Sequence, residues 1–89
     1  MRESVIEQRL VDRVKALGGM CPKFKSPQRK NVPDRIVLLP GARIFFVEAK
    51  ATGEEPNDGQ LREHERLRAL GFEVLVIDNF QGIDERWPL

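Results

Sequence analysis

Residues 33–50 read PDRIVLLPGARIFFVEAK, and this stretch decides the fold. Two apolar runs, residues 35–39 and 43–47, are rich in the β-branched and aromatic side chains that favour strands. The turn residues Pro40, Gly41 and Ala42 separate the runs. The pattern therefore predicts a β-hairpin.

The length of the hairpin loop decides which residues face each other across the two strands. A three-residue loop pairs Leu39 with Arg43 and, counted back along both strands, sets Asp34 opposite Glu48. A two-residue loop would set Asp34 opposite Val47 and separate the acids. We predict the three-residue register, because loops of this length that contain a glycine are common.

Two carboxylates in this register point to a metal site. Directly opposed residues have Cβ atoms about 5 Å apart, and acids at that distance repel each other unless a cation lies between them. Asp34, Glu48 and the backbone carbonyl of Ala49 could hold Mg²⁺, which prefers oxygen ligands and keeps several waters. Lys50 shares the face of Glu48 and could orient the attacking water. The alternative is a solvated ion pair, but the apolar run before Glu48 indicates burial and favours the metal site.

The motif Pro33-Asp34…Glu48-Ala49-Lys50 resembles the signature of the PD-(D/E)XK nucleases, and the small size resembles their virus-type replication-repair branch, the VRR-NUC domain. The resemblance implies a metal-dependent phosphodiesterase that acts on DNA. In that family pattern Asp34 and Glu48 are metal ligands and Lys50 is the catalytic lysine. The sequence departs from the pattern at Asn31, where the branch usually has glycine; asparagine also tolerates a positive φ.

The same resemblance implies two further site residues, each with an alternative explanation. Glu7 would be the helix-borne acid of the metal site, but it also forms a capping box with Ser4 that would explain it fully. Gln60 would support catalysis, but it could equally satisfy the first-turn amides of its helix.

Composition limits the protein to one domain, residues 1–89, with a core near the lower size limit for a single chain. The single cysteine, Cys21, and the single histidine, His64, exclude a disulfide framework and a zinc site made from one chain's Cys and His. His64 is expected to pack or to lie at a rim rather than to bind a ligand. The sequence has no secretory signal and no apolar run of membrane-spanning length, so we expect a cytoplasmic protein of a bacterial or phage-infected cell and no membrane partner.

The net charge of +1 is unevenly distributed. No acid lies between Asp12 and Asp34, whereas six basic residues do. Four of them are candidates for holding nucleic-acid phosphates beside the site: Lys23, Lys25, Arg29 and Lys30. The alternative is a flexible loop whose lysines confer solubility.

The periodicity predicts the order α-β-β-β-α-β, a mixed sheet flanked by helices. The first helix runs to about Leu17 with an apolar stripe, and residues 20–25 form an edge strand because Pro22 interrupts them. The second helix, capped by Asn57 or Asp58, extends to about Leu70 with Leu61, Leu67 and Leu70 on its apolar arc. The strand 72–78 is expected parallel to the strand that carries Glu48, followed by a short helix and by Trp87 as a lid on the core or an interface anchor.

These features together predict a Mg²⁺- or Mn²⁺-dependent, structure-selective DNA endonuclease. A homodimer would place two sites on opposed strands, which suits a Holliday junction as substrate. Flap or nicking activity is an alternative within the class. Two alternatives lie outside the nuclease class. One is a non-catalytic nucleic-acid-binding module, and the other is an interaction protein in which the motif forms an ion-pair network.

Overall fold

Three strands form one mixed sheet in the computed structural model, which describes residues 1–89. The strands β1 and β2 pair antiparallel, and β3 lies parallel to β2 on its other side. The predicted α/β architecture, a mixed sheet flanked by helices, is confirmed. The elements in chain order are α1 (Glu3–Ala16), β1 (Arg35–Leu39), β2 (Arg43–Ala49), α2 (Asp58–Ala69), β3 (Glu73–Ile77) and α3 (Phe80–Arg86).

The β1–β2 hairpin has the predicted three-residue loop. Leu39 pairs with Arg43, and the register continues to Arg35 opposite Val47. Gly41 and Ala42 both have positive φ, 86° and 60°, which closes the turn between strands of this register. One step beyond the last pair, Asp34 follows opposite Glu48.

The predicted first strand is present only as an edge segment, residues 20–24. Met20 exchanges two backbone hydrogen bonds with Leu38, Pro22 accepts from the amide of Ile36, and Phe24 donates to the carbonyl of Asp34. Pro22 has no N–H to return to β1, so the ladder is interrupted and two isolated bridges remain where a strand was expected. The segment still places Phe24 against the backbone of Asp34.

One face of the sheet, covered by α1 and α3, forms the main hydrophobic core. The ring of Trp87 packs edge-on against Phe45 at 5.6 Å, so this tryptophan is a core residue. Arg9 and Arg13 of α1 both bind Asp84 of α3, which joins the two helices above the core. Burying each large apolar side chain contributes about 1.5–3 kcal/mol. The buried members are Ile6, Leu10, Val14, Val37, Leu39, Phe45, Val47, Ile77, Ile83 and Trp87.

The other face is covered by α2, which packs in an unexpected orientation. Glu63 and His64 are its buried residues, whereas Leu61 and Leu70 are 45% and 74% exposed. The predicted apolar arc of this helix is therefore wrong for Leu61 and Leu70, whereas its third member, Leu67, is half-buried. Apolar side chains of this face include Phe24 and Phe72, which flank Phe46, and Ile44 and Val76, which are 42% and 40% exposed.

The helix starts differ from each other. α1 begins at Glu3 after Arg2, which makes no side-chain capping bond, so the predicted capping box of Ser4 and Glu7 is wrong. α2 begins with the capping box of Asn57 and Gln60 and ends at Ala69, with Leu70 as its C-cap before Gly71, whose φ is 97°. No helix of the fold has the length and apolarity needed to span a bilayer.

Candidate active site

Asp34 and Glu48 meet at the end of the hairpin opposite its loop. Oδ2 of Asp34 accepts a hydrogen bond from the backbone N–H of Ala49 at 2.9 Å, which fixes this carboxylate against β2. Glu48 directly precedes Ala49 on β2, and its side chain is 2% exposed. The hairpin register thus brings the half-buried Asp34 together with the buried Glu48.

Burial and the neighbouring acid raise the pKa of Glu48 to about 8. Loss of solvation is the largest cause, followed by a hydrogen bond with Asp34 and the negative charge of Asp34. The positive charge of Lys50 opposes the increase, which places its ammonium group within electrostatic reach of Glu48. The two carboxyl groups therefore favour a state in which they share one cation or one proton.

The backbone of β2 contributes to the same point. The N–H of Lys50 donates to Ile77 of β3, and backbone groups of successive strand residues point to alternate sides. The N–H and the carbonyl of Ala49 consequently point toward β1, where the carboxylate of Asp34 lies. The carbonyl of Ala49 is on the side expected of a metal ligand.

The donor set fits a hard cation that keeps several waters. Two carboxylates and one backbone carbonyl are oxygen donors, as Mg²⁺ and Mn²⁺ prefer. No group of three or more His, Cys, Asp or Glu side chains is arranged to hold a metal. Burial and the charge of Asp34 both disfavour the ionised form of Glu48, and a divalent ion held by the two carboxylates would favour it.

The structure separates the two acids of α1. Glu7 does not face the carboxylate pair, because its Oε1 accepts from Nε of Arg35 at 2.8 Å. Glu3, one turn earlier, has its pKa raised by burial and then by the charge of Asp34. Glu3 is a candidate that the sequence analysis missed; its spacing of four residues from Glu7 was the available signal, since both acids occupy one side of the helix.

Gln60 forms part of the cap of α2. Its Oε1 accepts from the N–H of Asn57 at 2.9 Å, and its own N–H donates to the side chain of Asn57. The capping explanation accounts for the Gln60 oxygen. The Nε2 amide has no protein partner and is the part of Gln60 that could reach a water.

His64 is the second residue that the sequence analysis did not place in the site. It is fully buried, with Nε2 3.3 Å from Oε1 of Glu48. Burial and the charges of Arg68 and Lys50 lower the pKa of His64, so the ring stays neutral near pH 7. The signal in the sequence was its position one turn after Gln60.

The basic segment, residues 23–30, carries the four predicted phosphate-binding residues, of which one forms an ion pair and three do not. Arg29 forms a two-pronged ion pair with Glu63 of α2, and this contact lowers the pKa of Glu63. Lys23, Lys25 and Lys30 are exposed and form no ion pair. Three of the four predicted phosphate-binding residues are therefore free to meet an anion, while Arg29 also anchors the loop to α2.

Comparisons with known proteins agree with this geometry. No protein-family model matches the sequence. A protein of Acyrthosiphon pisum secondary endosymbiont phage 1, with the name "Putative nuclease p44", is 54% identical over 79 residues, which cover 89% of this chain and 85% of that protein. A solved structure described as "VRR_NUC domain" aligns with a TM-score of 0.87 and 36% identity over 96% of this chain and 94% of that chain. Both similarities span nearly the whole chain.

Proposed function

Because the chain belongs to the VRR-NUC family of nucleases, we propose that it is a metal-dependent, structure-selective endonuclease that hydrolyses phosphodiester bonds in DNA. The observation that carries this proposal is the meeting of the half-buried Asp34 with the buried Glu48 beside the charge of Lys50. A buried carboxylate next to a second acid destabilises a fold unless a cation or a proton joins the pair.

Each residue of the site has a role that follows from its surroundings. Asp34, Glu48 and the carbonyl of Ala49 bind the divalent ion, with Glu3 of α1 contributing negative charge from the flank. When bound, the ion lowers the pKa of a water ligand and offsets charge on the scissile phosphate. Lys50 holds the attacking water or the phosphate oxygen through its ammonium group.

The DNA contacts proposed for the basic segment are contacts to phosphates. Lys23, Lys25 and Lys30 offer ammonium groups on the segment that leads into Asp34, and Arg29 adds a fourth charge. Contacts of this kind give affinity without base readout. The protein therefore recognises the shape of its substrate rather than a sequence.

The proposed substrate is a branched DNA, with a Holliday junction resolved by a homodimer. Two sites related by a two-fold axis would cut opposed strands. The partly exposed apolar residues Ile44, Phe72 and Leu70 support pairing of two copies, since a small domain gains core by association. Mg²⁺ or Mn²⁺ would serve as the ion.

Cleavage of defined DNA structures tests the proposal. A labelled four-way junction, a flap, a nicked duplex and a linear duplex are incubated with Mg²⁺, Mn²⁺ or EDTA, beside Asp34→Asn, Glu48→Gln and Lys50→Ala. We expect cutting of the junction with either ion and at least a roughly 100-fold loss in each variant. If no structure is cut with either ion, or if the variants match the parent, the enzymatic proposal is wrong. Sedimentation velocity tests the dimer.

A further inference from the structure

The burial of His64 needs an explanation beyond packing. α2 turns this imidazole toward the sheet and leaves Leu61 and Leu70 in solvent, although either leucine would contribute more by burial. Nδ1 of the ring is buried without a hydrogen-bond partner. A buried polar ring lowers the stability of a fold unless its other nitrogen makes a hydrogen bond.

That contact is with Glu48. Nε2 of His64 lies 3.3 Å from Oε1 of Glu48, and both side chains are almost completely buried, at 0% and 2% exposed. With the divalent ion bound, Glu48 would be ionised, and an ionised carboxylate only accepts hydrogen bonds. The ring must therefore donate through Nε2–H. In that tautomer Nδ1 carries no hydrogen, so its lack of a partner leaves no N–H donor unsatisfied.

We propose that His64 is a positioning residue, which holds Oε1 of Glu48 through Nε2–H and so leaves Oε2 free to bind the ion. The inference rests on the proposed function, because it concerns the group behind a proposed metal ligand. Carboxylates that bind metals are themselves held by hydrogen bonds, and loss of such a partner typically lowers metal affinity roughly 10- to 100-fold. His64 supplies this hydrogen bond from α2, whereas the N–H of Ala49 supplies it for Asp34 from β2.

Two substitutions separate the hydrogen bond from the filling of space. His64→Phe keeps a ring of similar size and removes the donor, whereas His64→Gln keeps an N–H donor of similar reach. Mn²⁺ affinity is measured on the full chain without DNA by electron paramagnetic resonance, with circular dichroism as the test of folding. We expect His64→Phe to lose roughly 10- to 100-fold in Mn²⁺ affinity and His64→Gln to recover most of it. In the cleavage assay, the defect of His64→Phe should shrink at saturating Mn²⁺.

A spectroscopic measurement on the parent protein keeps the inference testable if His64→Phe does not fold. His64 is the only histidine, so a long-range ¹H–¹⁵N spectrum of the untagged chain contains one imidazole. We expect the Nε2–H tautomer in the presence of Mg²⁺. The Nδ1–H tautomer would overturn the proposal, as would a folded His64→Phe that binds Mn²⁺ like the parent or a His64→Gln as weak as His64→Phe.

The two proposals fail in different ways. A parent protein that binds no Mn²⁺ and cuts no DNA overturns the nuclease site and the role of His64 together. A parent that binds Mn²⁺ and cuts DNA, beside a His64→Phe with unchanged Mn²⁺ affinity, overturns the role of His64 alone.

Discussion

Glu7 of α1 and Arg35 of β1 form a partly buried ion pair, with Oε1 of Glu7 2.8 Å from Nε of Arg35. This pair ties the helix to the strand that starts directly after Asp34. Glu3, one turn earlier on α1, is the acid whose pKa responds to Asp34 and Lys50. The two glutamates of one helix thus have separate environments, although the sequence makes them look interchangeable.

Glu3→Gln and Glu7→Gln are expected to affect different properties. Glu3→Gln removes negative charge beside the ion and should weaken Mn²⁺ binding about 5-fold with little change in stability. Glu7→Gln removes the charge that binds Arg35 and should lower the free energy of unfolding by about 1 kcal/mol with unchanged Mn²⁺ affinity. Metal titration and urea unfolding of both variants check this, and the reverse result would make Glu7 the metal-binding acid of α1.

The stability of the metal-free protein should fall as pH rises toward 8. The pKa of Glu48 is raised from 4.5 to about 8, so the folded protein holds a proton that the unfolded chain has already released. The stabilisation that comes from this proton is fully present below about pH 4.5. It is lost progressively as the pH rises to about 8. The pKa of His64 is lowered, so titration of His64 makes stability rise with pH, but only below its ordinary pKa of 6.5. Between pH 6.5 and 8 the change in His64 therefore does not oppose the Glu48 effect.

Thermal unfolding in EDTA between about pH 6.5 and 8 measures this effect. One proton limits the slope to about 1.4 kcal/mol per pH unit. Glu48→Gln, which stays neutral, should remove the slope, and Mg²⁺ should stabilise the parent more at the upper end of this pH range than at the lower end. A slope that persists in Glu48→Gln would assign the titration to another group.

Removal of the exposed lysines should lower the salt dependence of DNA binding. Each phosphate contact adds about 0.9 to the slope of log affinity against log salt concentration, so Lys25→Gln and Lys30→Gln should each reduce it by roughly that amount. Lys15→Gln is the matched control, because Lys15 lies about 18 Å along α1 from Glu3. Binding of a junction in EDTA at several salt concentrations measures the slopes. Equal effects at Lys15 and Lys30 would argue against a contact at the basic segment.

The hairpin loop offers a pair of substitutions with opposite expected signs. Ala42 has a φ of 60°, which disfavours any residue with a Cβ, so Ala42→Gly should stabilise the protein by about 0.5–1 kcal/mol. Gly41 has a φ of 86°, and no atom lies within 4 Å of the point that an added Cβ would occupy. Gly41→Ala should therefore destabilise the protein by about 1 kcal/mol through backbone strain alone. Urea unfolding compares the two, and a neutral Gly41→Ala would mean that the loop has another conformation.

The hairpin register and the strand order were predictable because local chemistry determines them. A three-residue turn between two apolar runs determines which residues pair, and the crossover through α2 makes β3 parallel to β2. The same hairpin register predicted that Asp34 lies opposite Glu48. The roles of these residues as ligands stay a prediction.

The orientation of the helices was not predictable in the same way. Leucine periodicity placed Leu61 and Leu70 inside, whereas α2 buries Glu63 and His64 because Arg29 binds Glu63 and Glu48 faces His64. These partners lie 34 and 16 residues away, so the spacing of the leucines does not reveal them. Ser4 and Glu7 matched a capping box, but the helix begins two residues earlier than that box predicts, with Arg2 in the N-cap position.

Arg35 also reaches the sheet's outer edge, where its Nη1 donates to the carbonyl of Cys21 at 2.8 Å. A single guanidinium thus fastens both α1, through Glu7, and the edge segment to the start of β1. Local opening of either element leaves the guanidinium held on one side only, so we expect the two elements to open together. The amide protons of Met20 and Phe24 should exchange with deuterium at rates that follow those of α1, not those of an open loop.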